Sequence, residues 1–229
     1  GFYNPSVTIR FTAYDTSAGV QSFTWGYTKE TGASAVNHPE TLADATVPAV
    51  QDPTDKSKFT AEITLTAEEL AQYRGYISVV ATDTYQNKSN KVVDSGNIIV
   101  VDTVTPSISV EYPIEANRVD ADNKINYYNK DIQVKFIVTE ANFYPEEMQV
   151  TITKDGQPID FDTSDITWGV RDSEDKTIGT FTLAASADHS KDGDYVITVN
   201  YKDRSSNEMA TYVSETFTID TIKPVINVI

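Results

Sequence analysis

A nine-residue string occurs twice in this chain, and its recurrence limits the fold more than any other feature. Asp102-Thr103-Val104-Thr105-Pro106-Ser107-Ile108-Ser109-Val110 returns as Asp220-Thr221-Ile222-Lys223-Pro224-Val225-Ile226-Asn227-Val228, a spacing of 220 minus 102, or 118. Other matches keep the same order. Gly75-Tyr76-Ile77-Ser78-Val79 corresponds to Asp194-Tyr195-Val196-Ile197-Thr198-Val199 when the tyrosines are aligned, and Asp83-Thr84-Tyr85-Gln86-Asn87 to Asp203-Arg204-Ser205-Ser206-Asn207. Asp52-Pro53-Thr54-Asp55-Lys56 answers Asp172-Ser173-Glu174-Asp175-Lys176, and Tyr3-Asn4 followed by Val7, Ile9 and Phe11 echoes Tyr128-Asn129 followed by Ile132, Val134 and Phe136. Fixed-period similarity of this kind marks a repeat architecture, here a tandem pair of ~120-residue modules, an ordinary domain size.

Both copies read as β-structure. Val7, Ile9, Phe11 and Ala13 alternate with Thr8, Arg10 and Thr12, and Ile132, Val134, Phe136 and Val138 alternate with Gln133, Lys135 and Ile137. A period of two turns one face to a core and the other to water. Further strands are expected over residues 21–28, 58–65, 76–81 and 97–101, then 148–153, 166–170, 179–183, 195–200 and 211–219. Asp155-Gly156 between two such runs predicts a tight hairpin, because Gly accepts the positive φ of a primed turn. One short helix is expected over 67–73, with Thr66 as its cap and Glu69 three residues on. Short strands at this spacing with so little helix indicate antiparallel β-sandwiches.

Composition removes several function classes. The 229 residues carry 18 Lys and Arg against 34 Asp and Glu, a net charge of −16. An acidic excess of that size repels phosphate backbones and offers no basic stripe, so nucleic acid is not an expected partner. Cys is absent, which excludes disulfides and thiolate metal sites. No run approaches the ~18 apolar residues of a membrane helix, and the first residues lack the order of a signal peptide, so no membrane insertion is expected from this stretch. If the protein is secreted, its targeting segment lies elsewhere.

The tyrosines narrow the sandwich type. Asp192-Gly193-Asp194-Tyr195 leads into an apolar alternating strand, as Arg74-Gly75-Tyr76 does in the first copy. A Tyr at the start of the sixth strand, its hydroxyl bonded back to the preceding connection, is the corner motif of immunoglobulin-like sandwiches; an ordinary packed strand Tyr is the other reading. Together with the Asp-x-x-x-Asn turn and the closing Asp-Thr-x-x-Pro junction, this order resembles bacterial immunoglobulin-like repeats, the Big type, of large cell-surface or secreted proteins. The resemblance spans essentially the whole chain. It implies an all-β fold of two tandem immunoglobulin-like antiparallel β-sandwich domains in an extracellular or cell-surface setting. Such repeats serve as non-catalytic stalk or spacer modules, in adhesins among others, and alternatively as carbohydrate-binding accessories of large secreted enzymes or adhesins. Implied partners are neighbouring repeats of the same chain and a host or cell-wall glycan or protein.

Registering the copies gives domains over 1–104, 105–222 and 223–229. The first begins immediately before its own second strand and so lacks a first strand, and the last reads as the start of a following repeat. An unpaired edge and a spare strand suggest weak head-to-tail self-association through 224–229; a frayed terminus is the plainer reading.

Candidate chemistry is sparse. The two histidines, His38 and His189, occupy unmatched loop positions, and neither a Gly-x-Ser-x-Gly turn, a His-x-x-x-His pair nor a phosphate-binding Gly-x-x-x-x-Gly-Lys occurs. Glu68-Glu69 and Glu146-Glu147 read as solvated turns or helix ends rather than a glycosidase pair. No enzyme and no obligatory cofactor are therefore expected. Structural calcium at a domain junction is the metal candidate, with Asp83, Asn87, Asp102, Asp120 and Asp122 as ligands, since hard cations take several oxygens. Asp and Asn in such loops more commonly make side-chain-to-backbone turns. Exposed aromatic rings would stack on sugars, yet Trp25-Gly26 and Trp168-Gly169 fall at unmatched repeat positions, and a buried Trp is the commoner fate in a sandwich. An internal Lys to Asn crosslink needs an inward Lys, and Arg10 and Lys135 both fall on the outward phase.

Overall fold

The computed structural model describes residues 1–30, 44–67 and 72–227. The chain divides into two units: Gly1–Val104 with Arg204–Asn207, and Thr105–Asp203 with Glu208–Ile229. Both are all-β.

The first unit holds β1 (Phe2–Tyr3), β2 (Ser6–Tyr14), β3 (Val20–Lys29), β4 (Ala45–Pro48), β5 (Val50–Gln51), β6 (Lys58–Thr66), β7 (Gln72–Asp83), β8 (Val92–Val93) and β9 (Ile99–Asp102). They form a sheet in the order β1-β9-β7-β3-β4, with β8 added on β7, and a three-stranded sheet β2-β6-β5. The period-two pattern of β2 is realised in antiparallel register with β6, from Ser6 opposite Thr66 to Tyr14 opposite Lys58. Its polar phase meets polar partners: Thr8 and Thr64 join hydroxyls at 3.2 Å, and Arg10 Nε donates to Glu62 at 2.8 Å. The apolar phase faces a core of Phe11, Phe23, Tyr27, Phe59, Leu65, Tyr73 and Val101.

The second unit repeats this plan with β10 (Ser107–Glu111), β11 (Arg118–Asp120), β12 (Ile125–Tyr128), β13 (Ile132–Thr139), β14 (Gln149–Lys154), β15 (Gln157–Pro158), β16 (Thr167–Trp168), β17 (Lys176–Leu183), β18 (Gly193–Asn200), β19 (Tyr212–Val213) and β20 (Phe217–Ile219). One sheet runs β11-β12-β20-β18-β14-β15, with β19 on β18; the other runs β10-β13-β17-β16. Ile132, Val134, Phe136, Ile152, Tyr195, Ile197, Phe217 and Ile219 fill the core. At Asp155-Gly156 the chain reverses with φ of 51° and 77°, both left-handed, closing β14 onto β15. That is the predicted primed hairpin.

Three expectations change. Gln72 and Tyr73 belong to strand β7, not to a helix over 67–73; Ala67 is a turn residue and 68–71, with Glu68-Glu69, lie outside the described residues, as does His38. The strand expected over 166–170 shortens to Thr167–Trp168. The run 211–219 splits at Ser214, whose backbone N–H donates to the Ile197 carbonyl while its hydroxyl accepts from the Ile197 N–H, both at 2.9 Å. The side chain replaces a ladder carbonyl there, so β19 and β20 pair with different stretches of β18.

The two tyrosines aligned by sequence are not structurally equivalent. Asp102 and Asp220 close the two copies; β9 sets Gly75 opposite Ile99, and β20 sets Tyr195 opposite Phe217, 118 residues after Ile99. Gly75, not Tyr76, therefore occupies the place of Tyr195. Tyr27 supplies the missing bulk from β3, where the second unit has Ile152: a Cβ on Gly75 would lie 2.7 Å from the Tyr27 ring.

Candidate functional site

Of the five residues proposed as calcium ligands, Asp83, Asn87 and Asp102 belong to the first unit and Asp120 and Asp122 to the second. Asp83 ends β7, and its Oδ1 accepts from the backbone N–H groups of Tyr85 (2.8 Å) and Asn87 (2.7 Å) while Oδ2 accepts from the Asn87 amide (2.7 Å). The Asp-x-x-x-Asn pattern thus closes a turn in which Gln86 takes a φ of 69°. Asp120 does similar work for the loop into β12. Its Oδ1 accepts from the N–H groups of Asp122 and Asn123, both at 3.2 Å, and the Asn123 amide holds its carboxyl below the usual carboxylate range. Asp122 is exposed beside it. Asp102, fully buried at the end of β9, accepts from the Val104 N–H at 2.9 Å, and its carbonyl accepts from the Asn207 amide of the same unit at 3.0 Å. Asp83 with Asn87, and Asp120 with Asp122, are brought together as turn-closing pairs.

The same device recurs at other acidic loops. Asp52 and Asp172 accept backbone N–H bonds from the following residues, which lowers their carboxyl pKa values, and the Ser190 hydroxyl, joined by the Ser190 N–H, holds the Asp188 carboxyl at about 2. Much of the negative charge is consequently tied into loop geometry.

A buried acidic pair in the second unit was not singled out by the sequence. Glu140 and Asp203, both nearly inaccessible, bring carboxylate oxygens within 4.8 Å. Glu140 Oε1 accepts from the Asn142 N–H at 2.6 Å, and nearby the Tyr201 hydroxyl accepts from the Tyr144 N–H at 3.1 Å. Burial pushes the Tyr201 phenol upward, and the Glu140 and Asp203 charges add to that. A signal did exist: Glu140 continues the inward phase of Ile132, Val134, Phe136 and Val138.

The second histidine is more engaged than its loop position implied. His189 Nδ1 lies 2.6 Å from Thr221 Oγ1, whose hydroxyl donates to Asp192 at 2.8 Å. With the hydroxyl hydrogen directed at the Asp192 carboxylate, Nδ1 is the donor to the Thr221 oxygen. A nucleophilic triad needs the reverse, a ring nitrogen that takes the hydroxyl proton and a third group on the other nitrogen. As arranged, the trio ties Thr221 to the β17–β18 connection. Glu146 and Glu147 lie in a 3₁₀ turn, Pro145–Glu147.

Neither tryptophan is presented as a platform. Trp25 packs half-buried against the first core, and Trp168 lies on Phe136 (6.4 Å between centroids) and edge-on to Phe143 (4.9 Å). Tyr195 makes the corner: it is buried and its hydroxyl donates to the Lys191 carbonyl, four residues upstream. Tyr76, one residue off that phase, is only half-buried. A groove of about 460 Å³ opens beside the corner, with Phe161, Phe181 and Leu183 as apolar wall and Lys154, Asp160 and Lys191 at its polar rim.

No family model and no curated protein matches the chain. Among the described residues no helix is long and apolar enough to cross a membrane.

Proposed function

We propose that the chain is a tandem of non-catalytic immunoglobulin-like modules acting as a structural spacer in a large bacterial cell-surface or secreted protein, an adhesin among the candidates. The observation that carries this reading is duplication at the level of register. Val7 faces Leu65 and Phe11 faces Ala61 in one copy; Ile132 faces Leu183 and Phe136 faces Gly179 in the other. A repeated unit that keeps its core pairing while its loops diverge suits a role carried by the body of the domain rather than by a site. Side-by-side antiparallel strands resist extension because many hydrogen bonds must break together. The test is single-molecule stretching of the chain between handles. A spacer gives two unfolding events, each releasing roughly 330–360 Å of contour for ~100 residues at about 3.3–3.6 Å apiece. One event, or a unit that yields with no measurable resistance, overturns it.

The accessory-module reading keeps one supporting feature, the groove beside Tyr195. Its volume lies within the range of small-ligand sites, and an aromatic wall with a charged rim suits a sugar. Titration with oligosaccharides followed by amide shifts at Phe161 and Lys191 tests it; shifts spread over the surface, or none, refute it.

A further inference from the structure

Strand β17, in the second unit, is paired along its whole length on one side and only in part on the other. Every residue from Lys176 to Leu183 has a partner in β13, but β16 pairs with Gly179 and Thr180 alone. The Ile178 carbonyl accepts from the Gly169 N–H on the β16 side at 2.8 Å, and main-chain direction alternates along an antiparallel strand, so Thr180 and Thr182 turn the same way. β16 begins at Thr167, opposite Thr180, and the chain before it leaves the sheet through the 3₁₀ turn Thr163–Asp165. Among the described residues no group bonds the N–H or C=O that Thr182 turns to this side. Thr182 also lines the groove beside Tyr195, between Phe181 and Leu183 and across from Phe161, whose ring lies 4.8 Å from that of Phe181. An open edge and an apolar slot thus run side by side.

The two banks of the groove differ in charge. On one, Lys154 Nζ donates to the Ser190 carbonyl at 2.6 Å; burial, and then the charges of Asp155 and Asp192, push the Tyr195 phenol upward, so acids already flank the lysines there. On the other, Asp160, Asp162 and Asp165 stand in a stretch with no basic residue before Arg171, and none of the three has an ion-pair partner among the described residues. An open edge takes up an extended peptide through main-chain bonds, while pockets for alternate side chains and local charge choose its sequence.

We propose that the β17 edge at Thr182 is a docking site for an extended segment of a partner protein that carries an apolar side chain flanked by Lys or Arg. The partner residue opposite Thr182 exchanges both main-chain bonds with it and keeps its own side chain on the outer face. The next residue, opposite Phe181 or Leu183, turns inward against Phe161. The flanking cations meet Asp160 and Asp165. A sugar needs no strand-spaced donor and acceptor, so the site goes beyond both the spacer and the sugar readings.

The probe is a displayed library of random heptapeptides selected on the full chain. Expected are sequences with alternating apolar residues and flanking Lys or Arg, whose synthetic forms slow hydrogen exchange at the Thr182 amide. N-methylation walked along such a peptide weakens binding about tenfold at alternate residues, those whose N–H faces β17, and leaves it within about twofold at the residues between. On the protein, Thr182→Pro deletes the edge N–H without removing a bond to β13 and weakens binding to the same degree; should that variant not fold, the N-methyl series decides alone. Asp160→Lys with Asp165→Lys abolishes the preference for basic flanks. Failure to enrich any peptide, bound peptides that leave Thr182 exchange unchanged, or N-methyl effects without alternation overturn the proposal. An unchanged preference for basic flanks overturns the charge assignment, and amide shifts at Phe161 and Lys191 with oligosaccharides but with no peptide overturn the site in favour of a sugar.

Discussion

Gly179 is a glycine because an indole lies on it. A Cβ built there falls 2.5, 2.7 and 2.8 Å from three atoms of the Trp168 ring, whereas unstrained carbons sit about 3.5–4.0 Å apart. Gly179→Ala therefore requires the ring to withdraw by about 1 Å, which loosens its contacts with Phe136 and Phe143. Inserting a methyl into a packed site of this kind costs about 1–3 kcal/mol. Against that, Ala is favoured over Gly within a strand by roughly 0.5–1 kcal/mol through chain entropy. The net expectation is a loss of about 1 kcal/mol, with ~2 as its upper range, or some 4–8 °C per kcal/mol in the melting of a domain near this size.

The repeat supplies its own control. Ala61 occupies the place of Gly179 in the first unit, opposite Phe11 as Gly179 is opposite Phe136, so the backbone at this position accepts a methyl. Calorimetry on a double-mutant cycle isolates the ring. In a Trp168→Ala background, Gly179→Ala should be neutral or stabilising by about 0.5 kcal/mol, giving a coupling of roughly 1–3 kcal/mol between the two sites. Equal destabilisation with and without the indole would refute the steric argument and shift the cause to the strand backbone.

Three further outcomes follow from the same geometry. Tyr195→Phe removes the corner hydrogen bond to Lys191 and should lower the melting of the second unit by about 1 kcal/mol, whereas Tyr76→Phe should leave the first unit within ~0.5 kcal/mol; comparable losses would argue against the register assigned to the tyrosines. Gly156→Val places a β-branched residue at a φ of 77° and should cost about 1–2 kcal/mol, read as a fall in the urea midpoint at unchanged slope. The Asp188 carboxyl, held at about 2 by Ser190, has a folded pKa below its unfolded value. Its contribution is complete above about pH 4 and is lost as pH falls through about 2, so Asp188→Asn should melt below the parent at pH 6 and converge with it only below about pH 2. A gap independent of pH would remove ionisation as the cause.

Strand phase and one turn were legible because each is a local rule. The even and odd positions of β2 and β13 sort into core and solvent from the residue string alone, and Asp155-Gly156 carries the only chemistry its turn requires. Sites built from distant residues were not legible. Glu140 and Asp203 lie 63 positions apart, and only a fold that folds β13 and the end of β18 together makes them neighbours. The acidic turns were read both ways, and the described hydrogen bonds account for Asp83 and Asp120 as turn-closers. Thr66 failed as a helix cap because β6 runs through it, paired with Ser6. Tertiary pairing overrides a capping signal that brings no buried face of its own.

The tyrosine misalignment has a more general cause. Similarity search rewards identical residues, but a sandwich core is selected for filled volume, and the volume is free to enter from either neighbouring strand. In the second unit the ring comes from β18 as Tyr195, paired with Lys154 and beside Ile152; in the first, Gly75 leaves the space and Tyr27 on β3 fills it, its ring tilted against Tyr73 with centroids 4.3 Å apart. The exchange of Phe136, Gly179 and Trp168 for Phe11 and Ala61 follows the same rule. Matching by turn chemistry avoids the error, because Asp83 and Asp203 are fixed by backbone hydrogen bonds and bridge patterns, Thr82 to Lys88 and Lys202 to Glu208, that side-chain volume does not touch. Their spacing of 120, applied backwards along the strand, lands Tyr195 on Gly75. In a diverged repeat the turns keep the register, and the core is free to trade bulk across it.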